Sequence, residues 1–213
     1  MMMRAYDEDY VTYAQRILGD MLDFAVNTLE FDADEFFTMF QISGMAYQFE
    51  RGNPSYVAGK TGCELAREVL RESGLGEPEK PDVMYLDKSP EYWAGWALAF
   101  YQWYTGRTFK RIHRAVSIDT ILCMYAALHE ADIMKFVSVM DEKLQEYYTE
   151  TNLRRLRGFA GMSQEELAER SGVSLAEIQL WETGVKDIQK ARAGSVWRLA
   201  RALSCTCEDL LEL

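Results

Sequence analysis

Hydrophobic residues recur at intervals of three and four along most of the chain, which is the spacing of amphipathic helices. The first such stretch runs from Tyr10 to Ala25. Signals for a helix start follow at Asp32, Thr61 and Ser89, whose side-chain oxygens can accept from the free amides of a first turn. No stretch alternates convincingly between apolar and polar residues. The pattern therefore predicts an all-α protein.

A loop rich in glycine, proline and charge is predicted over residues 74–90. One helix is expected to begin at Pro90, at the end of this loop. Three more are expected over residues 108–116, 118–128 and about 131–148. We expect a domain boundary near Glu150, which gives an N-terminal helical domain of residues 1–150 and a C-terminal domain of residues 151–213. The sequence has no flexible linker there, so the helix at 131–148 is expected to run directly into the next one.

Two short helices separated by a glycine turn are predicted in the C-terminal domain. Ser163 with Glu166, and Ser174 with Glu177, have the spacing of capping boxes. Gly172 supplies the turn between the two helices. This is the layout by which helix-turn-helix proteins put their second helix into the DNA major groove.

Residues 153–211 resemble the Xre family, the Cro/CI repressor type of five-helix helix-turn-helix domain. The motifs that carry the resemblance are Ser163-Gln164-Glu165-Glu166-Leu167-Ala168, Gly172-Val173-Ser174, Glu182-Thr183-Gly184, Leu199 to Leu203 and Leu210-Leu211. The resemblance implies a bacterial transcription regulator, a repressor, that binds double-stranded DNA. It also implies a homodimer that binds two half-sites.

The same resemblance assigns roles to individual residues, with residues 175–183 as the recognition helix. The expected base contacts are Leu175, Ala176, Glu177, Gln179 and Leu180. The expected phosphate contacts are Gln164, Thr183, Lys186 and Lys190. Arg157 and Glu182 fall where the family has a structural ion pair. Few arginines are available for guanine, whereas Gln179 can read an adenine and the apolar residues can touch thymine methyls.

The net charge of −11 is unevenly distributed. Residues 151–213 carry nine basic and nine acidic side chains, so residues 1–150, with 14 basic and 25 acidic ones, hold the whole excess. Non-specific DNA affinity depends on positive charge. A neutral C-terminal domain therefore predicts weak non-specific binding, and the acidic domain suits a basic protein partner.

No catalytic, metal-binding or cofactor-binding pattern is found in the sequence. His113 and His129 are the only histidines, and neither has other metal ligands at a suitable spacing. The four cysteines form neither a paired metal motif nor a disulfide framework. We expect no enzyme, no cofactor and no metal. The absence of a signal peptide or an apolar span predicts a cytoplasmic protein without a membrane segment.

Aromatic residues concentrate in the helix that begins at Pro90. They either fill a core or line a groove for a partner or ligand, and the groove candidates are Tyr92, Trp93, Trp96, Tyr101 and Trp103. Two alternatives to a DNA-binding regulator follow. One is an antitoxin or adaptor whose acidic domain holds a basic protein such as a toxin, and the other is a regulator that senses a small molecule.

Overall fold

The structure, a computed structural model, describes residues 4–76, 78–83, 87–148 and 150–211. Within those ranges every regular element is helical, which confirms the all-α prediction. The chain divides into two compact units, Met1–Leu144 and Gln145–Leu213.

The N-terminal unit is built from helices joined by short turns, apart from the segment between the fifth and sixth. These helices are α1 (Val11–Asp23), α2 (Ala33–Ile42), α3 (Met45–Glu50), α4 (Pro54–Val57), α5 (Gly62–Glu72), α6 (Pro90–Thr105), α7 (Phe109–Ala115), α8 (Ile118–Leu128) and α9 (Ile133–Tyr148), of which the last four residues belong to the second unit. A 3-10 turn, Glu8–Tyr10, precedes α1. A π-helical stretch, Phe24–Thr28, follows α1.

The predicted helix starts are confirmed by the hydrogen bonds at their caps. The Asp32 carboxylate accepts from the Glu35 amide at 3.0 Å. Thr61 and Glu64 form a complete capping box at the start of α5. The Ser89 hydroxyl accepts from the Tyr92 amide at 3.0 Å, and Pro90 occupies the first helical position of α6. Each cap satisfies an amide that the helix itself leaves free.

Helix α1 crosses α6 and meets the start of α5 at points where only glycine fits. A Cβ atom on Gly95 would lie 2.4 Å from the Leu18 carbonyl oxygen, and one on Gly62 would lie 2.4 Å from the Met21 amide nitrogen. A Cβ on Gly19 would lie 2.9 Å from the Tyr92 ring. The backbones therefore pack directly against one another. No local sequence signal distinguishes these glycines from others in the chain.

The core of the N-terminal unit contains a phenylalanine cluster. Phe37, Phe40, Phe49 and Phe109 are all buried, with neighbouring ring centroids 5.6 to 6.2 Å apart. All five of these pairs are tilted or edge-to-face, the arrangements that aromatic quadrupoles favour. The rings join α2, α3 and α7 into one core.

Asp34 connects three helices of this unit. Its Oδ1 atom accepts from the Ile118 amide at 2.7 Å and lies 2.6 Å from His113 Nε2. The other ring nitrogen of His113 lies 2.8 Å from Gln41 Nε2. Burial would raise the pKa of Asp34, but the hydrogen bonds from His113, Ile118 and Asp119 outweigh it and keep that pKa below its ordinary value.

The C-terminal unit contains five helices packed around a single apolar core. They are α10 (Asn152–Phe159), α11 (Gln164–Ser171), α12 (Leu175–Glu182), α13 (Ala193–Leu203) and α14 (Cys207–Leu210). The predicted inward positions Leu167, Ile178 and Trp181 are buried, and Val173 is buried beside them. They pack with Leu153, Leu199 and Leu210 in the same cluster.

One expectation about helix continuity is wrong. Helix α9 ends at Tyr148, and Thr151 has an extended backbone with φ −60° and ψ 149°. The Thr151 hydroxyl accepts from the Arg154 amide and caps α10 as a separate helix. A threonine cap is a local start signal that the sequence analysis overlooked.

Candidate functional site

The two helices of the predicted helix-turn-helix are joined at Gly172. This residue has φ +64°, a left-handed conformation that glycine adopts without strain, and its amide donates to the Ala168 carbonyl. Val173 is buried immediately after it. The chain therefore leaves α11 and enters α12 within three residues.

Capping fixes the first turn of each of these helices. Ser163 and Glu166 form a complete capping box, as predicted. At α12 the Ser174 hydroxyl accepts from the Glu177 amide, but the Glu177 carboxylate lies 2.9 Å from that same hydroxyl rather than on the Ser174 amide. The second predicted box is therefore only half formed.

A polar clamp made of half-buried Arg157 and Gln164 and buried Glu182 connects α10, α11 and α12. Arg157 donates to both carboxylate oxygens of Glu182, from Nε at 2.6 Å and from Nη2 at 2.9 Å. Gln164 Nε2 donates to Glu182 Oε2 at 2.7 Å, and Arg157 Nη1 donates to the Met162 carbonyl at 2.7 Å. The Glu182 side chain is only 1% exposed.

The charge state of the clamp follows from these contacts. Burial would raise the pKa of Glu182, but the hydrogen bonds from Arg157 and Gln164 and the charge of Arg157 outweigh it and lower that pKa. The hydrogen bond to Glu182 likewise raises the pKa of Arg157. Both groups are ionised at neutral pH, and the pair fixes the end of α12 against α10 and α11.

The Gln164 side chain, one of the expected phosphate contacts, takes part in the clamp. Its amide nitrogen is used by Glu182. This nitrogen carries a second N–H, which the bond within the clamp does not use and which could donate to a phosphate. The backbone amides at the start of α11 remain the natural anion donors of that helix end.

The expected base-contact residues share one side of α12. Ala176 and Gln179 are exposed, and Leu175, Glu177 and Leu180 are half-buried. The opposite side, formed by Ile178, Trp181 and Glu182, is buried in the unit. Helical spacing therefore brings the five expected residues together on the side of α12 that is open to a ligand.

The remaining expected phosphate contacts follow α12. Thr183, Lys186 and Lys190 are all exposed. The Thr183 hydroxyl donates to the Gln179 carbonyl at 2.8 Å, and Lys190 Nζ lies 3.7 Å from Asp187. Lys190 is 85% exposed in this pair, so water screens the attraction and leaves the ammonium open to another anion.

The aromatic groove candidates in the N-terminal unit separate into two groups. Tyr101 and Trp103 are buried at 0% and 5% exposure, so they cannot line a surface groove. The Tyr101 hydroxyl donates to Asp141 at 2.7 Å, and Trp103 Nε1 donates to the Tyr6 carbonyl at 2.8 Å. Their polar ends are satisfied inside the fold, where they act as core residues.

The other three candidates line a surface depression of about 300 Å³, here called the aromatic depression. Its lining residues are Lys88, Tyr92, Trp93, Trp96, Tyr125 and His129. His129 stacks on Tyr125 with ring centroids 4.5 Å apart, and Lys88 Nζ lies 4.0 Å from the Tyr92 ring centroid. Tyr125 and His129 were not identified as members of this set, because they lie on another helix.

Comparison with known proteins agrees with the geometry of the C-terminal unit. Residues 153–210 match the family described as "Helix-turn-helix", which confirms the expected Cro/CI-like type over just over a quarter of the chain. The match supports a DNA-binding helix-turn-helix regulator and does not extend into the N-terminal unit. No curated protein and no solved structure gives a significant match to the chain.

Two further observations concern the described part of the chain only. None of its helices combines the length and the apolar character that crossing a bilayer requires. Within the same residues, no three histidine, cysteine or acidic side chains are grouped so that they could hold a metal ion.

Proposed function

We propose that the protein is a sequence-specific transcription regulator, a repressor, that inserts α12 into the major groove of double-stranded DNA. The observation that carries this proposal is the open side of α12, formed by Leu175, Ala176, Gln179 and Leu180, on a helix whose other side is fixed by the core and the clamp. A rigidly held helix with one free side is what major-groove recognition requires. Repression then follows from occupying a promoter.

A homodimer is the form in which we propose that it binds. One α12 helix spans only a few base pairs, so two copies reading half-sites about 34 Å apart would supply the affinity that the neutral residues 151–213 lack. Lys186 and Lys190 would contact the phosphates that flank each half-site. These contacts position the protein without reading sequence.

Selection of bound duplexes from a random pool, followed by titration with variants, tests this function. Gln179→Ala is expected to cost about 1–3 kcal/mol at one base pair and to relax the preference there. Lys186→Ala is expected to weaken all duplexes equally and to reduce the salt slope by about one. Lys135→Ala changes an exposed lysine of the N-terminal unit and serves as the matched control.

A second candidate function is the binding of an effector or partner by the N-terminal unit. The aromatic depression favours it, because a concave surface lined by aromatic side chains is typical of ligand sites. A small molecule bound there would make the protein a sensor. A basic protein bound to the acidic unit would make it an antitoxin or adaptor.

Thermal unfolding with a panel of metabolites, and separately with a basic protein partner at low and high salt, distinguishes these two forms. Trp96→Ala removes a half-buried ring from the depression, and Trp197→Ala removes an exposed ring from the other unit as a control. A stabilisation that only Trp96→Ala abolishes supports a site in the depression. An unchanged unfolding temperature with every addition argues against both forms.

A further inference from the structure

The open side of α12 offers very few polar groups. Its exposed or half-buried apolar members are Leu175, Ala176 and Leu180. Helix α12 contains no lysine or arginine in its sequence, Leu-Ala-Glu-Ile-Gln-Leu-Trp-Glu. Guanine is read at its O6 and N7 acceptors by side chains with paired donors, above all arginine and lysine. The helix thus lacks the side chains that usually select guanine.

Two of the remaining polar side chains at this site are already bonded within the unit. Ser174 Oγ lies 2.9 Å from Glu177 Oε2, so the carboxylate that could accept from a cytosine belongs to the helix cap. The Thr183 hydroxyl donates to the Gln179 carbonyl at 2.8 Å, in the last turn of its own helix. These bonds orient the two side chains along their own helix, in its cap and in its last turn.

Gln179 differs from both of these residues. It is exposed, and no hydrogen bond ties its amide to the described residues. A glutamine amide matches the N7 acceptor and N6 donor of adenine. The open side of α12 therefore combines one adenine-matching amide with three apolar side chains.

We propose that α12 selects its half-site by the C5-methyl groups of thymine, with Gln179 pairing with one adenine. This inference rests on the proposed DNA-binding function and specifies the sequence class: the core of each half-site consists of A·T pairs whose major-groove methyls contact Leu175, Ala176 and Leu180. Thymine is the only standard DNA base with an apolar group in the major groove. An apolar helix side gains affinity from removing that methyl from water.

Replacement of thymine by deoxyuracil tests the proposal, because it removes the methyl group and leaves base pairing intact. The full-length protein is titrated against its selected duplex and against copies that carry one deoxyuracil each. We expect a core of A·T pairs and about a fourfold loss of affinity at each contacted methyl, which corresponds to about 0.8 kcal/mol. Leu180→Ala is expected to abolish the loss at the one position that Leu180 contacts.

Leu75→Ala changes an exposed leucine of the N-terminal unit and is expected to keep every deoxyuracil penalty of the wild type. A core of G·C pairs, or a wild-type affinity that does not respond to deoxyuracil, overturns methyl reading and leaves DNA binding standing. Penalties that persist in Leu180→Ala at every position also overturn it, since DNA shape rather than a methyl contact would then set the preference. Failure to bind any duplex at low salt overturns the proposed function itself.

Discussion

The two units differ in how closely their glycines approach neighbouring helices. In the N-terminal unit, Gly62 and Gly95 lie where a Cβ would come within 2.4 Å of another helix's backbone. In the C-terminal unit, no described atom lies within 4 Å of the Cβ position of Gly158 or Gly194. There the clamp at Glu182 also fixes the helices. Helices of the first unit approach one another through close backbone contacts, whereas in the second a charged network joins three helices in addition to the apolar core.

The largest expected effect comes from removing the carboxylate of the clamp. Glu182→Ala leaves the Arg157 guanidinium, whose side chain is 17% exposed, without its partner carboxylate. Breaking a buried ion pair at one partner costs about 3–5 kcal/mol. The measurement is urea unfolding followed by NMR resonances of each unit, which separates the two parts of the chain. Only resonances of the C-terminal unit should shift to lower urea.

The loss of stability in Glu182→Ala depends on pH, and the lowered pKa of Glu182 fixes the sign of that dependence. A carboxyl with a lowered folded pKa stabilises the fold above its ordinary pKa of about 4.3, and this stability is lost as pH falls through the folded value. The difference between wild type and Glu182→Ala should therefore be constant near neutral pH and narrow in acid. Glu169→Ala, an exposed change in α11, is the control. Equal loss in both units would contradict the assignment.

A smaller effect is expected at the crossing of α1 and α6. In Gly95→Ala, the added methyl would lie 2.4 Å from the Leu18 carbonyl oxygen and 2.9 Å from the Gly19 Cα, both backbone atoms. Overpacking of this kind costs about 1–3 kcal/mol, because whole helices must move apart. The same NMR-resolved unfolding should now shift only the N-terminal unit. Gly194→Ala, which has open space in a helix, should leave that unit unchanged.

The features predicted from the sequence are those that depend on residues close together in the chain. The caps at Asp32, Thr61 and Ser163 join groups three residues apart, so their spacing identifies them. The role of Gly95 depends on Leu18, far away in the chain. The residue type alone does not distinguish a glycine at a helix crossing from one in a turn.

The functional residues divide along the same line. The residues on the open side of α12 could be predicted, because helical periodicity fixes which positions lie on the same side of a helix. The hydrogen bond from Gln164 to Glu182 could not be predicted, because it depends on a packing contact between two helices. Tyr101 illustrates the remaining limit, because a buried tyrosine and an exposed one look identical in a sequence.

The smallest effect separates backbone conformation from space within the C-terminal unit. Gly158 and Gly161 both have no described atom within 4 Å of the Cβ position, but only Gly161 has a positive φ, +64°. Gly158→Ala should stabilise α10 by about 0.5–1 kcal/mol, because alanine loses less backbone freedom on folding. Gly161→Ala should destabilise the unit by about 1–2 kcal/mol, the cost of a left-handed conformation for a residue with a Cβ. The urea midpoints of the C-terminal resonances should move in opposite directions for the two variants. Movement in the same direction would show that the open space around both positions, and not backbone conformation, governs the effect.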